Sequence, residues 1–305
     1  MKKINYIILA LIIVILSVTS CTHIDTIVQA GAITLGAFTG IQVDQKIVDA
    51  ISKSGVAFSK AFEEITPEQE YYIGRSVAAN ILASYRLQTN KPAMLAYLNK
   101  ICNTLVINSI RPDIFNGYHV NILDSDEINA FATPGGHIFL TRGLIECTTS
   151  EDTLAAIIAH EIAHIQLQHG LKAIKNSRIT RAIIDTGTSA VGVAASVINL
   201  SEMVDIFGDS VSEVVSTLVT NGYSRAQELD ADSFAMSLLS LAGYEPSSLI
   251  DMLRVLEKEQ SSHPGGFNRT HPTPAQRITN AQRTVGKYSI PDTRSYRLAR
   301  FAAVR

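Results

Sequence analysis

Apolar residues recur at helical spacing through most of this chain and alternate strand-fashion over only a few short stretches. Leu154, Ile157, Ile158, Ile162 and Ile165 share one stripe, so Asp152 to Lys175 reads as one helix with a capping-box-like start at Thr149 and Asp152. A second helix runs from Arg225 through Leu238 and Leu239 to Gly243. Upstream, Thr66-Pro67-Glu68-Gln69 is a strong helix start, with threonine as cap, proline in the first position and glutamine reaching back, and the helix runs to about Leu87. Leu95, Leu98, Ile101, Leu105 and Val106 mark another helix, which follows Lys91-Pro92 and stops before Arg111-Pro112. Tyr118 to Leu123 alternates as a strand, and Ala130 to Thr141 reads as two strands broken by Pro134-Gly135-Gly136. After Pro246, Leu249, Met252, Leu253 and Leu256 set an amphipathic helix; a loop Ser261 to Thr273, a terminal helix from Pro274 to about Val285 and a polar tail follow. Many helices around one small sheet predict an α+β fold, mostly helical.

The N-terminus departs from this pattern. Lys2 and Lys3 precede an apolar run, Ile4 to Leu16, that ends in Ser17-Val-Thr-Ser-Cys21, the plan of a secretory signal and not of a spanning helix. Val18 to Cys21 resembles a bacterial lipobox, which would make Cys21 the lipidated first residue of the mature protein; ordinary export with cleavage nearby is the alternative. Removing residues 1–20 takes away two lysines and no acid, so 285 residues remain and the formal charge moves from −2 to −4. Lysine and arginine are scattered with no basic stripe, which excludes a nucleic-acid surface. Two segments are uncharged and rich in small residues. Thr26 to Val43 carries Gly31, Gly36, Gly40, Gln29 and Gln42, too polar for a span, and reads as a weak helix on the membrane or on the domain, continuing into an amphipathic linker to Phe62. Asn176 to Asn221, whose longest uncharged run is Thr186 to Ser201, reads either as a lid or membrane-surface element or as a scaffold helix pair. Cys102 and Cys147 are compatible with one disulfide or with two buried thiols.

The chemistry sits in Ala159-His160-Glu161-Ile162-Ala163-His164. Residues four apart on a helix project from one face, so His160 and His164 can reach one metal, while Glu161 lies beside it as a proton acceptor. A third histidine close by in sequence would need a glycine bend, and Leu167 holds the glycine position, so the helix is expected to run straight on and the third ligand to come from elsewhere. Glu228 in Arg225-Ala-Gln-Glu-Leu-Asp-Ala-Asp232 is the best candidate, with Asp232, again four residues on, holding a ligand histidine by its other ring nitrogen. Asp230 faces another way. His23, His119, His137, His169 and His263 lack a partner at metal-ligand spacing and are expected to be structural or exposed.

His160, Glu161, His164, Glu228 and Asp232, with Asn129 to Leu144 before them and Thr270 to Arg277 after, resemble the M48 peptidases, gluzincin-type zinc proteases. The resemblance covers about residues 66 to 285. It implies a zincin-like domain at 66–290, between a membrane-proximal segment at 21–65 and a tail at 291–305, with one zinc on His160, His164 and Glu228 and with Glu161 and Asp232 serving catalysis. It further implies an endopeptidase that cuts exposed or misfolded envelope polypeptides, while the lipobox resemblance implies a lipid anchor on the periplasmic side of a bacterial envelope, and Thr22, which carries no aspartate-type retention signal, favours the outer membrane over the inner by resemblance to Gram-negative lipoproteins. An assembly factor with structural zinc, working with envelope assembly machinery, is the alternative. Gly136, His137, Ile138 and Phe139 are expected to form an edge strand that pairs with an extended substrate, or else a plain hairpin. His271, where similar proteins place a histidine near the metal, has three readings: a fourth ligand that keeps the enzyme latent, an oxyanion donor, or a cap on the terminal helix.

Overall fold

The structure, a computed structural model, describes residues 64–175, 211–212, 214–260, 271 and 274–304. Apart from Glu64 and Lys175 these belong to one compact unit, Ile65–Ile174 with Val204–Arg305. The signal segment, Cys21, both uncharged stretches except the end of the second, and the loop 261–270 lie outside the described residues.

Helix α1 (Pro67–Ser84) starts as its sequence dictates: Thr66 Oγ1 accepts from the Gln69 amide, and Gln69 Oε1 accepts from the Thr66 amide. Helix α2 (Pro92–Ile107) buries Leu98, Ile101, Cys102 and Leu105. Strands β1 (His119–Leu123), β2 (Ala130–Ala132) and β3 (His137–Thr141) make one mixed sheet in the order β1-β3-β2, with β1 parallel and β2 antiparallel to β3. A short α3 (Arg142–Cys147) leads to α4 (Glu151–Gln166), all of whose residues are buried. Alanine and isoleucine cover every side of α4, so it can only sit inside, and α2, β2, α5 (Arg225–Leu241), α6 (Ser248–Gln260) and α8 (Arg294–Val304) pack around it. Helix α7 (Pro274–Thr284) lies against α5 and α6. The mostly helical α+β fold is as the sequence pattern predicts.

Four local expectations are corrected and one open alternative is resolved. The cap of α4 is Ser150, paired in a capping box with Thr153, whose hydroxyl reaches back to the Ser150 amide. The helix does not run straight to Lys175: it stops at Gln166, turns through Leu167 and Gln168, and resumes over 169–175. Gln168 supplies the turn at φ +55°, a left-handed conformation that the glycine argument reserved for glycine. Third, β3 is the middle strand and not an edge, since Ile138 pairs with Val120 on one side and Ala132 on the other, and Phe139 with Asn121 and Phe131. Its backbone is therefore spent on the protein's own ladders, and the edge beside α4 is β2. The glycines before it do admit a close backbone, but that backbone is internal: a Cβ on Gly135 would lie 2.8 Å from Tyr71 Cα, and one on Gly136 would overlap the Gly117 carbonyl oxygen. Fourth, residues 294–304 of the expected tail form α8, which buries Arg297 and Phe301. Last, the cysteine alternatives resolve to two unbridged thiols, with Cys102 buried and its pKa pushed up to about 12 by that burial.

Candidate active site

Three segments far apart in sequence meet at the C-terminal half of α4. His160 and His164 come from α4, Glu228 and Asp232 from α5, and His271 and Arg277 from the entry to α7 and from α7 itself; all six are buried. Helix α5 is pinned at its start by a Ser224–Gln227 capping box, which puts Glu228 in its first turn. Asp230, between the two acids, faces solvent as expected.

His160, His164, Glu228 and His271 can each offer one ligand atom such that all lie within 4.8 Å of one another. His160 Nε2 is 3.1 Å from His164 Nε2, 3.3 Å from His271 Nδ1 and 3.5 Å from Glu228 Oε2. Glu228 Oε1 is 3.4 Å from His164 Nε2 and 3.0 Å from His271 Nδ1. A tetrahedral metal with bonds of about 2.0–2.1 Å spaces its donors about 3.3–3.4 Å apart, so these separations fit a tetrahedral ion of the nitrogen- and oxygen-preferring kind.

Around that set, Asp232 Oδ1 lies 3.1 Å from His160 Nδ1, on the side of the ring away from the other donors. Arg277 spans both acids: its Nε and Nη2 donate to Asp232 at 2.8 and 2.7 Å, and its Nη1 lies 2.7 Å from Glu228 Oε2, close enough for an ion pair but not aligned as a hydrogen bond. Burial works against both carboxylates, yet Asp232 is held down at about pKa 2 by Arg277, and Glu228 is held well below the carboxylate range by His271 and Arg277. Burial likewise opposes protonation of His160, but its contacts with Asp232 and Glu228 outweigh it and raise the imidazole to about 9, whereas burial prevails at His164 and holds it well below its ordinary value. Glu161 differs from the other acids. Neither of its oxygens has a hydrogen-bond partner among the described residues, His271 Nε2 stands 3.8 Å from Oε1, and burial raises its pKa.

Sequence reasoning brought His160, Glu161, His164, Glu228, Asp232 and His271 to this centre, and the structure places all six together. His137, Ile138 and Phe139 belong to the sheet instead. Three residues were missed. Arg277 was noted only as part of the terminal helix, although two acids on one helix face called for a counter-charge. His169, expected to be structural or exposed, is fully buried with Nδ1 2.9 Å from His164 Nδ1. Tyr223 stacks on His164 with ring centroids 4.0 Å apart. For Tyr223 the sequence offered no signal beyond its place just before the Ser224 cap.

Residues 92–285 match the profile of peptidase family M48. The chain belongs to peptidase family M48. The ligand set above is where the metal of an M48 peptidase would bind. Among curated M48 relatives the chain is 26% identical over 289 residues to the β-barrel assembly-enhancing protease of Yersinia pestis, covering 93% of this chain and 57% of that protein. It is 28% identical over 191 residues to metalloprotease LoiP of Escherichia coli (62% of this chain, 71% of LoiP). It is 24% identical over 224 residues to the mitochondrial metalloendopeptidase OMA1 of Schizosaccharomyces pombe (72% of this chain, 62% of OMA1). The chain spans little more than half the length of the assembly-enhancing proteases it matches.

Proposed function

We propose that this protein is a zinc endopeptidase of the bacterial envelope, anchored on the periplasmic side of the outer membrane by a lipid on Cys21, that cleaves exposed or misfolded envelope polypeptides. Glu161 carries the reading. A buried carboxylate whose oxygens accept no hydrogen bond from the described residues, beside a ligand set, costs stability and has no part in a purely structural site, but it is what a general base needs. His160, His164 and Glu228 would hold the zinc, which would supply the Lewis acidity that lowers a water's pKa toward neutrality and polarises a carbonyl. Glu161 takes the proton of the attacking water and hands it to the leaving amine. Asp232, itself held by Arg277, fixes the orientation of His160. His271 Nδ1, 3.3 Å from His160 Nε2 and 3.0 Å from Glu228 Oε1, would be a further donor to the bound metal, and as a latch it would have to withdraw before substrate enters.

The anchor rests on the lipobox resemblance of Val18 to Cys21, which lies outside the described residues. No helix among the described residues is long and apolar enough to cross a membrane. The envelope setting and quality-control role are supported by the relatives named for β-barrel assembly. A second reading, an envelope assembly factor with structural zinc, is favoured by the closed four-residue ligand set, since structural zinc sites keep no open position. Zinc content and casein cleavage of purified wild type and Glu161→Gln decide between them. The peptidase reading expects full zinc in both and hydrolysis only in the wild type. Equal activity in wild type and Glu161→Gln, or no activity in zinc-loaded wild type and none in zinc-loaded His271→Ala either, overturns it.

A further inference from the structure

The two imidazoles of α4 are backed in different ways. His160 has a carboxylate, Asp232, at its Nδ1. His164 has none: its Nδ1 faces the Nδ1 of His169 at 2.9 Å, with the rings edge-on and their centroids 4.9 Å apart. His169 is fully buried, and its Nε2 has no hydrogen-bond partner among the described residues. A helical residue five positions after His164 would lie well round the axis from it; the left-handed turn at Gln168 is what swings His169 back against the ring. Two further contacts fix it there. Gln227, in the cap of α5, donates from Nε2 to the His169 carbonyl at 3.4 Å, and Tyr223 packs on both rings, stacked on His164 and 5.8 Å from His169 between centroids.

Proton bookkeeping assigns the donor. His164 Nε2 faces His160 and Glu228, so a metal there takes the Nε2 lone pair and leaves the single proton of the neutral ring on Nδ1. Among the described residues that N–H meets His169 Nδ1, which must present a lone pair and carry its own proton on Nε2. Resting on the metal site argued above, we infer that His169 is a positioning residue: a neutral imidazole whose Nδ1 accepts from His164 and fixes the tautomer and ring plane in which His164 binds metal. The proposal accounts for a buried histidine outside the ligand set, and for a break in α4 made without glycine. It also makes the site asymmetric, because the His160 ring is backed by a charged acceptor and the His164 ring by an uncharged one, so that His164 is the less electron-rich ligand.

The test separates the hydrogen bond from packing. His169→Phe keeps a ring of similar size but has no acceptor, whereas His169→Asn loses ring volume and keeps an oxygen at the position of Nδ1. Zinc affinity of the full-length protein is measured by chelator competition, alongside the melting temperature of the metal-free forms and kcat/KM of the zinc-loaded ones. The expected result is a loss of zinc affinity on the order of 10–100-fold in His169→Phe, restored to within a few-fold of wild type in His169→Asn even where Asn lowers the metal-free melting temperature more. Wild-type affinity in His169→Phe overturns the proposal, and so does an Asn variant as weak as the Phe one, which would make the role one of packing. A wild-type protein that takes up no stoichiometric zinc overturns the metal site itself, a failure distinct from the other two.

Discussion

The C-terminal helix makes a demanding test of how this fold is held, because it lies beyond the residues that match the family. Arg297 of α8 is buried and donates from Nε to Asp152 Oδ2 at 3.0 Å and from Nη1 to the Gly243 carbonyl at 3.0 Å. Arg300 forms a two-pronged pair with Glu151, which also accepts from Tyr97 Oη at 2.8 Å. Both acids stand in the first turn of α4, so α8 grips the helix that carries the metal ligands by its opposite end. Replacing Arg297 by Met strips the cation from a buried carboxylate, a change that costs about 3–5 kcal/mol when nothing else compensates. Here something does: Asp152 keeps the Glu245 amide at 2.9 Å and the positive end of α4, the latter worth up to about 2 kcal/mol in partly buried geometry. The net loss is then about 1–3 kcal/mol, which for a unit of this size lowers Tm by about 2–12 °C. Differential scanning calorimetry with and without chelator is the assay, and the fall is expected in both conditions because the pair is separate from the ligand set. A fall below about 2 °C refutes the assignment, as does an Arg297→Met, Asp152→Asn double variant whose loss equals the sum of the single losses, since an interacting pair cannot be additive.

Glu228→Ala is expected to lose zinc by elemental analysis and to melt lower than zinc-loaded wild type, because metal bound only by the native state stabilises it; full occupancy would mean that another residue completes the site. Asp232→Asn is milder, about 10–100-fold in zinc affinity or activity, read by chelator competition. His271→Ala is expected to raise basal casein cleavage; a lower rate with zinc retained would move His271 to the oxyanion role, and unchanged kinetics would leave it with neither. Cys21→Ser is expected to abolish incorporation of labelled fatty acid, and persistent incorporation would mean that Val18 to Cys21 is no lipobox.

Periodicity located the helices because each buries an apolar stripe, and the two Glu/His/Asp pairs were legible because four-residue spacing on a helix fixes a shared face. What escaped detection depended on tertiary partners. Gln168 adopts φ +55° although nothing in its side chain asks for it, and only the pull of His169 toward His164 gives that turn a purpose. The order of three strands is likewise set by pairing across distant segments: β1 enters on the far side of β3, which no local pattern announces, and so converts an apparent edge into the centre of the sheet. Arg297 and Arg300 read as surface charge in a polar tail until Asp152 and Glu151 come to meet them. At His271 the sequence left three readings open, and the ligand-range distances to His160 and Glu228 favour the latch.

The ligands are spread along the chain in a way that governs when this protein can act. His160 and His271 are 111 residues apart, and Arg277, which neutralises the two acids of α5, comes later still. At synthesis rates of about 5–20 residues per second, the growing polypeptide holds the H-E-x-x-H pair for roughly 6–22 s before the rest of the centre exists. Until Glu228 is made, the chain has a base and two imidazoles but no third ligand, so it cannot retain a metal tightly. The centre is thus completed late: α5 brings Glu228, and only the entry to α7 and α7 itself bring His271 and the Arg277 counter-charge.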